Sequence, residues 1–182
     1  MENLFKNFKI QKYLDKKPPS DNSFDTDQEI KTLKKIPMNK KFVEDKDNIV
    51  DSFRKTSKLA KVDFPEKLVK ELVKQAVPIM LKIKKHHNRP RPKALAKKKN
   101  IKLEDIEMSS MKTASYPSGH SAQGILVANV LSKIYPKASK AFKKTGEDIS
   151  YSRNVARAHY KSDSDVGKSI GNDMYNHIKN KI

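Results

Sequence analysis

Residues 114–134 read ASYPSGHSAQGILVANVLSKI. The residue before a proline is pushed out of helical geometry, so Tyr116-Pro117 marks a turn. Ser118 then supplies a side chain suited to a helix N-cap. An apolar run follows, with Ile125, Leu126, Val127, Val130, Leu131 and Ile134. The stretch predicts a buried helix over 119–134 that opens on Pro-Ser-Gly-His. A helix start carries unpaired backbone N–H groups and a partial positive charge. Both suit an anion, above all a phosphate.

Working outward, Asp63 and Pro65 read as the cap and first turn of a second helix. Leu68, Val69, Leu72, Val73, Ala76, Met80 and Ile83 follow its period near 3.6, and Pro78 is expected to kink it. It should end at His86-His87-Asn88-Arg89-Pro90, with 89–113 a basic loop containing one short turn. Further helices are predicted over 137–157 and 163–180. Before residue 63 the expectation is an amphipathic helix over 3–14, a loop over 16–27, and helices near 28–36 and 41–60. There is no strand pattern and no internal repeat. The fold class is all-α, a helical bundle, with residues 1–62 an extension packing on a core over 63–182.

Composition narrows the chemistry. The chain has 182 residues and no Cys, which excludes disulfide and thiol chemistry. No run approaches the roughly 18 apolar residues of a membrane span. The first residues lack the apolar stretch of a secretory signal, so a cytoplasmic protein is expected. The net charge is +19, and residues 82–99 hold nine basic side chains and no acid. Such a field draws anions. Aromatic content is only 7 % and the lysines are dispersed, so no stable nucleic-acid partner is expected. Only five of the 40 basic residues are Arg, and four of them fall in RPRP (89–92) and SRNVARAH (152–159). Arg is suited to bidentate contact with phosphate oxygens.

Three segments thus stand out in order: Lys84-x6-Arg91-Pro92, Pro117-Ser118-Gly119-His120, and Ser152-Arg153-x5-His159-x3-Asp163. They resemble the tripartite signature of the type 2 phosphatidic acid phosphatase (PAP2) superfamily. The likeness is nearest to the bacterial class A non-specific acid phosphatases. The resemblance runs over roughly 64–178. It implies a metal-independent hydrolase of phosphate monoesters that uses no cofactor and has phosphotransferase capacity. A lipid phosphate phosphatase and a vanadate-dependent haloperoxidase are the alternatives within the same superfamily. The implied substrate is a small phosphorylated molecule, and a homo-oligomer is a further expectation.

The resemblance also implies roles. His159 is the nucleophile that forms a phosphohistidine, and Asp163 bonds its other ring nitrogen. His120 protonates the leaving oxygen and then activates water. Lys84, Arg91 and Arg153 bind the phosphate, with Ser118 and the backbone of Gly119. A bell-shaped pH profile follows, with His159 neutral and His120 protonated at the start. Independently of the resemblance, phosphoryl transfer needs positioning and charge stabilisation of three equatorial oxygens, which these residue types supply. Outside this set, Asp165 is a rival to Asp163 that the spacing disfavours. Arg89 reads as a supporting or surface residue, and Arg157 as facing solvent or an acid. His86, His87 and His177 read as structural or exposed.

Overall fold

The computed structural model describes residues 2–182. Among these residues it contains α-helices and short 3-10 turns and no strand. The helices are α1 (Gln11–Asp15), α2 (Phe24–Lys35), α3 (Lys40–Asp47), α4 (Ile49–Leu59), α5 (Glu66–His87), α6 (Pro92–Lys98), α7 (Gly119–Ile134), α8 (Ser139–Val155) and α9 (Lys161–Ile178).

Helix α7 is the axis of the bundle. It buries an unbroken stretch from Ser121 to Ala128, as a helix that is apolar on every face must. Helices α8 and α9 pack against it at backbone distance. A methyl group on Gly146 of α8 would sit 2.9 Å from the Cβ of Ala128. One on Gly167 of α9 would collide with the Ser118 carbonyl oxygen and sit 2.9 Å from Ser121 Cβ. Gly146 lets α8 meet the middle of α7, and Gly167 lets α9 meet α7 at the end that carries Pro-Ser-Gly-His.

The N-terminal helices belong to the same packing. Phe5, Tyr13, Ile49 and Phe53 share one core with Leu72, Leu126, Phe142 and Ile170. A second cluster joins Ile30 and Leu33 of α2 to Leu95 and Ala96 of α6 and to Tyr160. A third joins Val43 of α3 to Val155, Ala156 and Ala158. Helices α2 and α3 therefore buttress the chain on either side of His159.

Helix α7 begins and ends where its sequence indicates. Other boundaries differ. Residues 3–14 form only turns and the short α1, because few residues there repeat at helical spacing. Asp63 is exposed and does not cap α5; Pro65 is the N-cap and the helix starts at Glu66. Its far end falls where expected: the helix continues through Pro78 to His87, and Asn88 closes it at φ 47°. The stretch 89–113 is more ordered than expected. It holds α6, started by Pro92, which pre-sets helical φ at a first position, and a 3-10 turn at Ser109–Lys112. No described helix is long and apolar enough to cross a membrane.

Candidate active site

Backbone hydrogen bonds bring the three segments together. Ser115 N donates to the Arg89 carbonyl at 2.9 Å, and Ser118 N to the Asp163 carbonyl at 3.0 Å. Lys84 Nζ reaches from the last turn of α5 to the carbonyls of Ala114 (2.7 Å) and Ser115 (3.3 Å). A cleft of about 260 Å³ opens over this junction. Five of the eight residues expected from the sequence line it: Lys84, Arg91, Gly119, His120 and His159. The other three, Ser118, Arg153 and Asp163, are buried behind its wall.

His159 ends the tight turn between α8 and α9 and is 4 % exposed. Its Nδ1 lies 3.2 Å from Asp163 Oδ2, and its Nε2 lies 3.0 Å from Arg91 Nη1. A guanidinium only donates, so Nε2 must accept and Nδ1 must carry the proton. Burial lowers the ring's pKa to about 3, with Arg91 and Lys84 adding to it. The imidazole is neutral, with its Nε2 lone pair held by Arg91 Nη1 where both residues line the cleft.

Asp163 is held from four directions. Its Oδ1 accepts from Arg89 Nη1 (2.7 Å), and its Oδ2 from Ser115 Oγ (2.5 Å), Tyr160 N (3.1 Å) and His159. Burial alone would raise its pKa, but the bonds and charges of His159, Arg89 and Ser115 outweigh it and leave it lowered. Asp165, the rival carboxylate, pairs with Lys161 at the surface.

Arg91 is clamped by three carbonyls: Thr113 (2.9 Å), Ala158 (2.8 Å) and Ser110 (3.1 Å). That leaves Nη1 aimed at His159. Burial, with Arg91 beside it, pushes the Lys84 ammonium down to about 7. Arg153 is 1 % exposed. It donates from Nε to Ser152 Oγ (3.1 Å) and from Nη1 to Asp47 Oδ1 (2.8 Å). Its Nη2 is buried with no hydrogen-bond partner.

Ser118 caps α7, its Oγ accepting from Ser121 N (3.2 Å) and Ser121 Oγ (2.9 Å). Both bonds use its lone pairs and leave its own proton to donate. A methyl on Gly119 would meet nothing within 4 Å, so this backbone faces open cleft. His120 is tied to α3: its Nε2 lies 3.0 Å from the Asp47 carbonyl and 3.5 Å from Asp47 Oδ1. A carbonyl only accepts, so Nε2 carries a proton and a second would sit on Nδ1. Burial and then Arg153 lower the ring's pKa to about 4, with Asp47 opposing them.

Three residues carry more than their sequence indicates. Asp47 meets Arg153 from 106 positions away, inside a weakly periodic stretch with no motif. Arg89 is not a surface residue. It is 2 % exposed, stacks over the Tyr160 ring at 3.7 Å, and bonds Asp163 and Glu29. Glu29 of α2 also takes Ser162 N at 2.6 Å, tying α2 to the first turn of α9. The Arg-x-Arg-Pro spacing was the available signal for Arg89; Glu29 offered none. Arg157 is half-buried and pairs with no acid; its head group bonds the carbonyls of Lys34, Ile36 and Glu104. His87 Nε2 contacts the Tyr13 carbonyl and His177 Nε2 that of Lys6, both outside the site.

The described residues include no group of three or more His, Asp or Glu arranged to hold a metal ion. A larger, mostly apolar groove of about 1000 Å³ lies at the far end of α7, around Ile134 and Tyr135, and contains none of these residues.

Comparison with known proteins agrees with the three segments. A non-specific acid phosphatase of Salmonella typhimurium is 39 % identical over 88 residues, covering 48 % of this chain and 35 % of that protein. One from Providencia stuartii is 32 % identical over 111 residues, covering 59 % and 44 %. The chain thus matches less than half the length of these curated relatives. Residues 72–172, which run from the first half of α5 into α9 and hold all eight residues expected at the site, match the PAP2 superfamily, and the chain belongs to that family.

Proposed function

We propose that the protein is a phosphoric monoester hydrolase of the acid phosphatase kind, working through a phosphohistidine. The observation that carries this reading is the tautomer of His159. Its proton is committed to Asp163, and its Nε2 lone pair is held by Arg91 where both residues line the cleft. In the first step Nε2 attacks phosphorus in line with the ester oxygen. The N–P bond forms, the P–O bond breaks, and His120 donates a proton to the departing alcohol. In the second step His120 takes a proton from water, which attacks phosphorus. The N–P bond then breaks, releasing inorganic phosphate and neutral His159.

Arg91 releases His159 Nε2 to contact an equatorial phosphate oxygen. Lys84 and the unpartnered Nη2 of Arg153 supply further positive charge, and the Gly119 N–H donates at the head of α7, in a turn that Ser118 caps from behind the cleft wall. Because side chains provide this charge, the steps call on no metal ion. The family match and the acid phosphatase relatives support the reading.

p-Nitrophenyl phosphate hydrolysis in EDTA, with wild type and His159→Ala, tests it. The expected result is turnover inhibited by vanadate and reduced at least 10³-fold in the variant, the scale on which removal of a nucleophile acts. Turnover that survives in His159→Ala would refute the nucleophile. Absence of turnover in wild type would refute the hydrolase.

A further inference from the structure

The helix that delivers Lys84 also carries an apolar strip toward the same cleft. Val77 and Leu81 of α5 lie seven and three residues before Lys84, which places all three on one helix face. At about 1.5 Å per residue they sit roughly 10 and 4.5 Å below the lysine along the axis. Both line the cleft, and both stay exposed, Val77 at 41 % and Leu81 at 43 %. Met80, 3 % exposed, lies beneath them. These are large side chains that folding left in water at the edge of a charged site, where a polar residue would cost nothing.

The opposite wall is Gln123, one turn beyond His120 on α7. Its Nε2 donates to the Val73 carbonyl at 2.9 Å and ties α7 to α5. That bond commits one of the amide's two N–H groups to the backbone, and Gln123 is only 7 % exposed. The strip therefore offers a bound molecule methyl and methylene surface, with no carboxylate along it. The cleft's charged groups, Lys84, Arg91, His120 and His159, are gathered at the phosphate end. A cleft of about 260 Å³ falls just below the usual range for drug-sized ligands.

On the reading of this cleft as a phosphomonoesterase site, we infer that the strip Val77–Leu81 receives the leaving group. The preferred substrates are then monoesters of short alkyl or aryl alcohols. A polyol leaving group would give up hydration along this wall without gaining hydrogen bonds. An alkyl chain of the same length would gain apolar contact with two side chains.

The test compares n-butyl phosphate with glycerol 3-phosphate, two alkyl monoesters of similar length. p-Nitrophenyl phosphate serves as the reference for turnover and inorganic phosphate as a competitive inhibitor. Wild type is expected to favour the butyl ester in kcat/KM by about tenfold, the scale of one to two methylenes leaving water. Leu81→Ser and Val77→Thr should each cut that ratio at least about twofold and leave the inhibition constant for inorganic phosphate unchanged. Both sites are half in solvent, so the variants should fold. Turnover of the reference ester with a ratio near one, or a ratio that neither substitution moves, overturns the inference alone. No turnover of any ester overturns the parent reading and this inference with it.

Discussion

The carboxylate of Asp47 lies 2.8 Å from Arg153 Nη1 and 3.5 Å from His120 Nε2, and both partners depend on it. His120 faces the positive charges of Arg153 and Lys84, which together with burial lower its pKa to about 4; Asp47 is the acid that opposes them. In the proposed reaction His120 must begin protonated and His159, whose pKa is about 3, must begin neutral. Activity on free enzyme therefore rises as pH climbs through His159's value and falls as it climbs through His120's. A bound phosphate dianion raises the His120 value and widens the window upward. Asp47→Asn keeps the backbone carbonyl that holds His120 but removes the charge. The expected result is a basic limb of kcat/KM moved to lower pH by about half a unit or more, with inorganic phosphate bound several-fold more tightly. Full pH profiles and phosphate inhibition constants measure both. Loss of kcat with neither change would reduce Asp47 to a structural part.

At the scale of elements, the site rests on how closely α9 approaches the head of α7. Gly167 lies against the Ser118 carbonyl and Ser121 Cβ, so a side chain there must push α9 away from Pro-Ser-Gly-His. Gly167→Ala should cost about 1–3 kcal/mol, as overpacking of a tight interface does, and should weaken phosphate binding as Ser118 and Asp163 separate. Gly119→Ala is the contrasting change. Its methyl meets no protein atom and its φ is not positive, so stability should move by less than about 0.5 kcal/mol. Because that methyl points into the cleft, phosphate affinity should fall nonetheless. Urea unfolding and phosphate inhibition of the two variants separate these outcomes. Equal stability of both would show that α7 and α9 are free to move apart.

The whole molecule stores two neutral histidines in a strongly basic chain. Their values fall from 6.5 to about 4 for His120 and about 3 for His159, in each case chiefly through burial. Unfolded, both rings take up protons near 6.5; folded, they resist until pH 4 and below. The unfolded state therefore binds more protons across that interval, and folding stability must fall as pH drops from about 6.5 toward 3. Asp163, whose value is lowered by folding, adds a further loss as its carboxylate is protonated. Urea midpoints measured at pH 7.5, 6, 5 and 4 should decline steadily, and the decline should be shallower in His120→Asn. Midpoints that hold level between pH 6.5 and 4 would mean the rings are not kept neutral.

Several of these features are legible in the chain before it folds. Helix α7 announces both ends, because its cap, its apolar run and its start after Pro117 are local effects. The rarity of Arg singles out Arg91 and Arg153, and the resemblance of the third segment implies the contact of His159 with Asp163 across the first turn of α9. The N-terminal third is legible only in outline: the helices expected near 28–36 and 41–60 are present as α2, α3 and α4, with a break at Asn48. What it hides is the site's support: Asp47 and Glu29 acquire their site partners through contacts 60 or more residues distant. Local sequence thus determined the helices of the core and the residue types that gather at the cleft. Tertiary packing alone decided that Arg89 is buried, that Ser118 lies behind the cleft wall, and that Asp47 reaches His120. Burial and long-range charge depend on what the distant chain brings alongside, and no local pattern encodes that.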